Sequence, residues 1–135
     1  MRSVQKTLLI DAPIANVWDA LTCPQDIGSW MGDDSVHMDL TAGGGYRLFG
    51  GETTGQFTRI EPPCLLEYTW RQSGWPQDWP DSLVRWELET ADSATQVRLT
   101  HSRFPNQEER DSHDEGWDVY FLGPMKEWLE GNDRP

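Results

Sequence analysis

His101 and Arg103 stand two residues apart at the end of an alternating segment in which Val97 and Leu99 share their face. Alternation at a period of two places all four on one side of a strand. An imidazole at a pocket wall could orient a ligand or move a proton, because its ordinary pKa lies near ~6.5. The plainer reading is a core histidine bonded to backbone or water. Arg103, two positions on, could meet a carboxylate-bearing ligand at a cavity mouth, or form a structural ion pair with one of the many neighbouring acids. His113, Asp114 and Glu115 are consecutive on a helical pattern and point in different directions, so they do not converge on one metal. His37 and Asp39 share a strand face but have no third ligand. There is no G-x-S-x-G, and neither Cys23 nor Cys64 has an evident base or a C-x-x-C partner, so no nucleophile is assigned. The run Gly43-Gly44-Gly45 is not followed by G-K-[ST] and leads into a strand pattern, so it reads as a turn or bulge and not as a phosphate loop.

The aromatic residues carry more information than the polar ones. The chain has 8 Trp in 135 residues. Trp70, Trp86, Trp117 and Phe121 fall on faces that should look at one another, and Tyr68 and Met38 join them. Ligand pockets are mostly apolar with a few placed polar groups. These six residues with His101 and Arg103 fit that description, and a packed core fits it too.

The elements that would position them are short and antiparallel. Val4, Lys6, Leu8 and Ile10 alternate in a first strand. Asp11 is placed to cap the helix that follows, with Pro13 in its first turn. Ile14, Val17, Trp18 and Leu21 recur at helical spacing, Thr22-Cys23-Pro24 interrupts, and a second short helix carries Ile27, Trp30 and Met31 up to Gly32. Further strands follow, six or seven antiparallel strands in all, with corners at Gly43 to Gly45, Gly50-Gly51 and Pro62-Pro63. The loop from Gln72 to Asp81, holding Trp75 and Trp79, is the least regular stretch; in an interaction protein it, or the acidic C-terminal helix, would be the contact surface, the loop as an apolar patch. Both cysteines sit in apolar patterns and are expected to be buried and reduced.

From Asn106 the pattern turns helical. Asn106 with Glu109 and Ser112 with Glu115 are both possible capping boxes. Trp117, Phe121, Met125, Trp128 and Leu129 form one stripe. Gly116 would allow a close approach, and Pro124 should kink the helix.

Length points to one domain over 1–135, long enough to bury a core without disulfide or metal. Lys+Arg number 11 against Asp+Glu 23, a formal net charge of -12. That charge repels phosphate backbones and anionic lipid, so nucleic acid and membrane are excluded as partners. The opening residues lack an apolar signal core and no run reaches membrane-spanning length, which implies a cytoplasmic protein, monomeric or homodimeric.

Val17-Trp18-Asp19-Ala20-Leu21-Thr22 with Pro24 and Trp30, then Gly44-Gly45-Tyr46, Gly55-Gln56-Phe57, Ile60 through Pro62-Pro63, Leu66-Glu67-Tyr68-Thr69-Trp70, Thr95 to His101 and Gly116-Trp117, follow one another in an order that resembles the activator-of-Hsp90-ATPase homologue 1-like family, within the START-like (SRPBCC, Bet v 1-like) superfamily. The resemblance implies an α+β helix-grip fold: a curved antiparallel sheet of six or seven strands around a long C-terminal helix, with two short helices closing one end. It also implies a hydrophobic ligand between sheet and helix, and the first reading is therefore a module that binds an apolar or aromatic small molecule there, with no covalent chemistry, cofactor or metal expected. The alternatives are a cyclase- or hydrolase-like enzyme using His101 as acid or base, and a protein-interaction module related to chaperones or stress. The eukaryotic co-chaperone has an additional N-terminal domain for which this chain has no room, so chaperone activation does not carry over.

Overall fold

The computed structural model describes residues 3–131; Met1 and Arg2, at the head of the opening segment read above, lie outside it. Strand β1 (Val4–Ile10) leads into helices α1 (Ile14–Thr22) and α2 (Pro24–Met31). Strands β2 (His37–Met38), β3 (Gly45–Leu48), β4 (Thr53–Glu61), β5 (Leu65–Gln72), β6 (Ser82–Ala91) and β7 (Ala94–Ser102) then form a meander. The seven strands make one antiparallel sheet in the order β1-β7-β6-β5-β4-β3-β2, so only β1 leaves chain order, to lie beside β7. Helix α3 (Gln107–Gly116), a π-helical segment (Trp117–Leu122) and helix α4 (Gly123–Gly131) run on without a break as the C-terminal helix. This is the helix-grip architecture.

The local reasons are legible. Period-two burial puts Leu66, Tyr68 and Trp70 of β5, Val84, Trp86 and Leu88 of β6, and Val97, Leu99 and His101 of β7 inside. Asn106 Oδ1 accepts the Glu109 N–H at 2.8 Å and starts α3 as the capping pattern predicts. The Ser112–Glu115 box is not used, because α3 passes straight through it. Asp11 does not cap α1: the N-cap is Pro13, without a side-chain bond, and the Asp11 N–H donates instead to Glu130 in α4. Pro124 widens the helix where a kink is expected. It lacks an N–H, its ring would crowd the carbonyl four residues back, and the π turn ahead of it, closed by the Gly123 N–H on Asp118 O, takes up the extra residue.

Gly55 is a steric requirement. A Cβ there would lie 1.9 Å from Thr69 O and 2.6 Å from the Tyr46 ring, which folds across β4 to donate its hydroxyl to that same carbonyl at 2.6 Å. Buried side chains form one continuous cluster between sheet and helices. The indole N–H groups of Trp30, Trp70, Trp75, Trp86 and Trp117 all find acceptors, so large apolar area is buried without orphaned donors.

The C-terminal helix also seals the free edge of β1. Arg110 donates to Ser3 O and Lys126 to Leu9 O, while Lys6 pairs with Asp114 and Asp118. Residues 110, 114, 118, 126 and 130 therefore face the strand at about one contact per turn, covering an edge that would otherwise template pairing with another chain. Cys64 is exposed and Cys23 half-buried, contrary to the expectation for both. Cys64 sits in the turn before β5 begins, so the alternation of that strand does not extend to it.

Candidate functional site

Two histidines meet between sheet and helix, their ring centroids 5.3 Å apart. His101 comes from β7 and is fully buried. His113 comes from α3 and is mostly buried. Hydrogen bonds assign both tautomers. The Trp117 indole Nε1–H donates to His101 Nδ1 at 3.0 Å, so that nitrogen carries a lone pair and the proton is on Nε2. Nε2–H then meets Ser82 Oγ at 2.7 Å, and the Ser82 hydroxyl donates to Trp70 O at 2.8 Å. The Trp70 indole Nε1–H in turn donates to His113 Nε2 at 3.1 Å, and His113 Nδ1–H donates to Glu109 O at 2.8 Å. Every link has one donor and one acceptor only if both imidazoles are neutral. Burial, and then the neighbouring His113, pushes the His101 pKa well below its ordinary value. Burial lowers that of His113 as well, against the opposing pull of the Glu109 carbonyl and carboxylate. The resting relay thus leaves neither nitrogen of His101 open to a substrate. Its role is to hold Trp117 and Trp70 in place.

Those two indoles form one wall of a half-open cleft of about 150 Å³ at the mouth of the sheet–helix interface. Trp70 and Trp117 lie 5.1 Å apart, and Phe121 packs on both, at 5.8 and 4.4 Å. Phe49 also lines the cleft, its ring 6.0 Å from Phe121. Tyr120 stands at the rim, 63 % exposed. Thr53 and Gln72 supply a polar end, joined by a 2.6 Å bond from Thr53 Oγ1 to Gln72 Oε1. Gly116 leaves the helix side open: a Cβ there would find nothing nearer than Tyr120 at 3.8 Å.

Phe49 holds its place at a positive φ of 54°, a conformation that side chains with a Cβ seldom adopt. Asp33 keeps it there. Asp33 Oδ2 accepts the Phe49 N–H at 2.7 Å and Oδ1 accepts the N–H and hydroxyl of Ser35, whose oxygen takes the Gly50 N–H. Burial pushes the Asp33 pKa up, but these bonds outweigh it and leave the carboxyl below its usual value.

The sequence-predicted set divides. Trp70, Trp117 and Phe121 line the cleft. Tyr68, Trp86, Met38 and, from its inner side, Phe121 border a separate interior void of only about 20 Å³, room for one water. There the Trp86 indole N–H is spent on the Tyr68 hydroxyl at 2.9 Å, so the expected roomy hollow beneath the helix is side-chain packing. His101 sits behind the cleft wall. Arg103 is exposed, outside the inward row: β7 ends at Ser102, and a φ of 64° at Arg103 turns the chain so that Phe104 goes inward, its ring 4.1 Å from His101. The sequence offers His113 only as a metal candidate that helix geometry rejects, gives Asp33 and Phe49 no role, and suggests a close approach at Gly116 where the structure has room for a Cβ, nothing lying nearer than Tyr120 at 3.8 Å. The helical offset from Trp117 to His113 and Tyr120 was the one signal available for any of them.

The Trp75–Trp79 loop is also different from its sequence reading. Trp75 is buried, its indole donates to Glu109 in α3 at 2.9 Å, and Arg71 holds the loop carbonyls of Pro76 and Trp79. The loop is docked on the helix and does not form an exposed apolar patch. His113 and Asp114 diverge, toward Trp70 and Lys6. His37 and Asp39 are both exposed. No helix among the described residues is long and apolar enough to cross a membrane.

The family model described as Activator of Hsp90 ATPase homolog 1-like protein matches residues 11–130. The chain belongs to that family. Solved structures similar to this member of the Hsp90-activator-homolog family include an HSP90 activator from Plasmodium falciparum, with a TM-score of 0.86 and 24% identity over 96% of each chain. CalU16 from Micromonospora echinospora superposes with a TM-score of 0.82 at 28% identity, over 98% of this chain and 77% of that one. The Aha1 dimer from Colwellia psychrerythraea gives 0.81 at 23% identity, over 96% and 97%. No curated protein matches. At these identities the likeness is one of fold.

Proposed function

We propose that this protein binds a small, largely apolar molecule in the cleft bounded by Phe49, Trp70, Trp117, Tyr120 and Phe121, and performs no covalent chemistry on it. The observation that carries this reading is the cleft itself: about 150 Å³ of space walled by aromatic carbon, with Thr53 and Gln72 as its polar end. An apolar space of that size accepts one benzene-sized ring, and the pairing of apolar walls with few polar groups is typical of ligand sites. The neutral, fully bonded histidines support binding over acid–base catalysis, because neither offers a proton or a lone pair. A cytoplasmic location belongs to the same proposal. A monomer is the simpler assembly, since the β1 edge is closed by the chain's own helix.

The test is a thermal-shift series with toluene, benzyl alcohol and acetophenone. A ligand at a hundred times its Kd stabilises by about 2.7 kcal/mol, a readily measured rise. Gly116→Leu and Ser112→Trp place bulk in the cleft from the helix side and should abolish the rise while leaving the protein folded. No rise with any of the three, or a rise indifferent to both substitutions, would show the cleft is not the binding site.

A further inference from the structure

The cleft holds a feature that a merely greasy ligand does not require. Its walls are rings, and those rings are electron-rich. Phe49, Trp70, Trp117, Tyr120 and Phe121 all face one small space. The positive N–H edges of both indoles are consumed by His113 and His101, so what remains for a ligand is ring carbon. An indole that donates a hydrogen bond gains electron density in its ring, which deepens the negative potential over the face. The acceptors are neutral imidazoles, so no positive charge stands behind the wall to cancel that potential. No lysine or arginine lines the cleft among the described residues. The whole chain carries a net charge of -12, which raises the local concentration of cations and repels anions.

We propose that the ligand of this cleft carries an alkylated ammonium group, quaternary or nearly so, seated among the rings by cation–π attraction. This rests on the binding reading above and gives its ligand a chemical class. A bare ammonium or a lysine-like amine is strongly hydrated and would need several acceptors to replace its water, and the ring walls supply none. A methylated ammonium is weakly hydrated, presents carbon to the rings and keeps its charge. Thr53, Gln72 and Ser112 at the cleft border provide hydroxyl and amide groups for a short polar arm on the same ligand.

The experiment titrates the full chain with three probes at constant ionic strength, read by tryptophan fluorescence and melting temperature. The probes are choline, its uncharged tert-butyl isostere, and ammonium chloride. Choline should bind at least about tenfold more tightly than the isostere, and ammonium should produce no saturable change. Tyr120→Leu keeps bulk at an exposed rim position but removes a ring. It should weaken choline about threefold or more beyond any loss it causes for the isostere, whereas Tyr120→Phe should retain choline binding. Equal affinities for choline and the isostere would overturn the cation and leave the cleft standing as an apolar site. A choline response that ammonium reproduces would reduce the effect to surface charge and overturn the proposal. If neither choline nor the isostere binds while toluene does, the ammonium class is wrong; if toluene fails as well, the cleft reading falls with it.

Discussion

Trp117 and His101 are joined by a 3.0 Å bond from indole Nε1 to imidazole Nδ1, which ties the middle of the C-terminal helix to the inner face of β7 near that strand's end. A donor and an acceptor, both inside, each need the other, because an unmet buried polar group costs about 1–3 kcal/mol. The same bond fixes the plane of Trp117 and hence the shape of the cleft wall.

The first consequence is on stability. His101→Leu leaves the Trp117 N–H without an acceptor and the Ser82 hydroxyl without its donor. The expected loss is about 2–4 kcal/mol, measured by urea denaturation. Trp117→Phe removes the donor side. The double substitution should then cost less than the sum of the two singles by about 1 kcal/mol or more; strict additivity would mean the bond contributes nothing.

The relay also makes stability depend on pH. Both histidines have folded pKa values lowered from the unfolded value near ~6.5. Between the lowered and the unfolded values the unfolded chain binds more protons, so stability is full above that value and falls as the pH drops below it. Each histidine adds a slope of up to about 1.4 kcal/mol per pH unit. Denaturation midpoints at pH 7.5 and 5.5, buffer pH values chosen to bracket ~6.5, should differ clearly in the wild type. The difference should shrink in His113→Phe. Carboxylates with lowered pKa values, such as Asp33 and Asp114, act in a more acidic range and do not mimic it.

Phe49 sets backbone strain against the cleft. A left-handed conformation costs a residue with a Cβ about 1–2 kcal/mol, and the ring's contact with Phe121 is worth about 0.5–1.5 kcal/mol beyond area. Phe49→Gly relieves that strain but also gives up the ring's half-buried area against the core, so it should cost about 1 kcal/mol of stability while weakening any cleft ligand several-fold. Asp33→Ala should do the reverse in part, lowering stability by about 1–3 kcal/mol through the lost bonds to Phe49 and Ser35. Calorimetric titration beside a melting curve separates the two effects.

Gly116 has ordinary helical angles, φ -59° and ψ -37°, so its lack of a side chain is not demanded by the backbone. Gly116→Ala should raise stability by about 0.8–1.0 kcal/mol from helix propensity, with its methyl in ordinary contact with the Tyr120 ring at 3.8 Å beside the cleft. A gain in melting temperature accompanied by weaker ligand binding would show that the glycine is kept for the space it leaves.

Much of the framework follows from periodicity alone. Alternation placed Tyr68, Trp70, Trp86 and His101 inward, and helical spacing placed Trp117 and Phe121 on the buried stripe, because those signals depend only on local backbone geometry. The seven antiparallel strands, the two short helices and the C-terminal helix are written in the same patterns and in the order of the motifs. What tertiary structure alone decided is which inward residues face space and which face each other. Tyr68 and Trp86 spend their polar atoms on one another in the core, while Trp70 and Trp117 spend theirs on histidines contributed by different elements, and that pairing leaves the cleft. Arg103 turns outward through a backbone angle that no periodicity predicts, and Trp75 finds Glu109 across a gap of 34 residues. Such contacts depend on side-chain volume and bond direction between segments distant in the chain, and a linear pattern records neither.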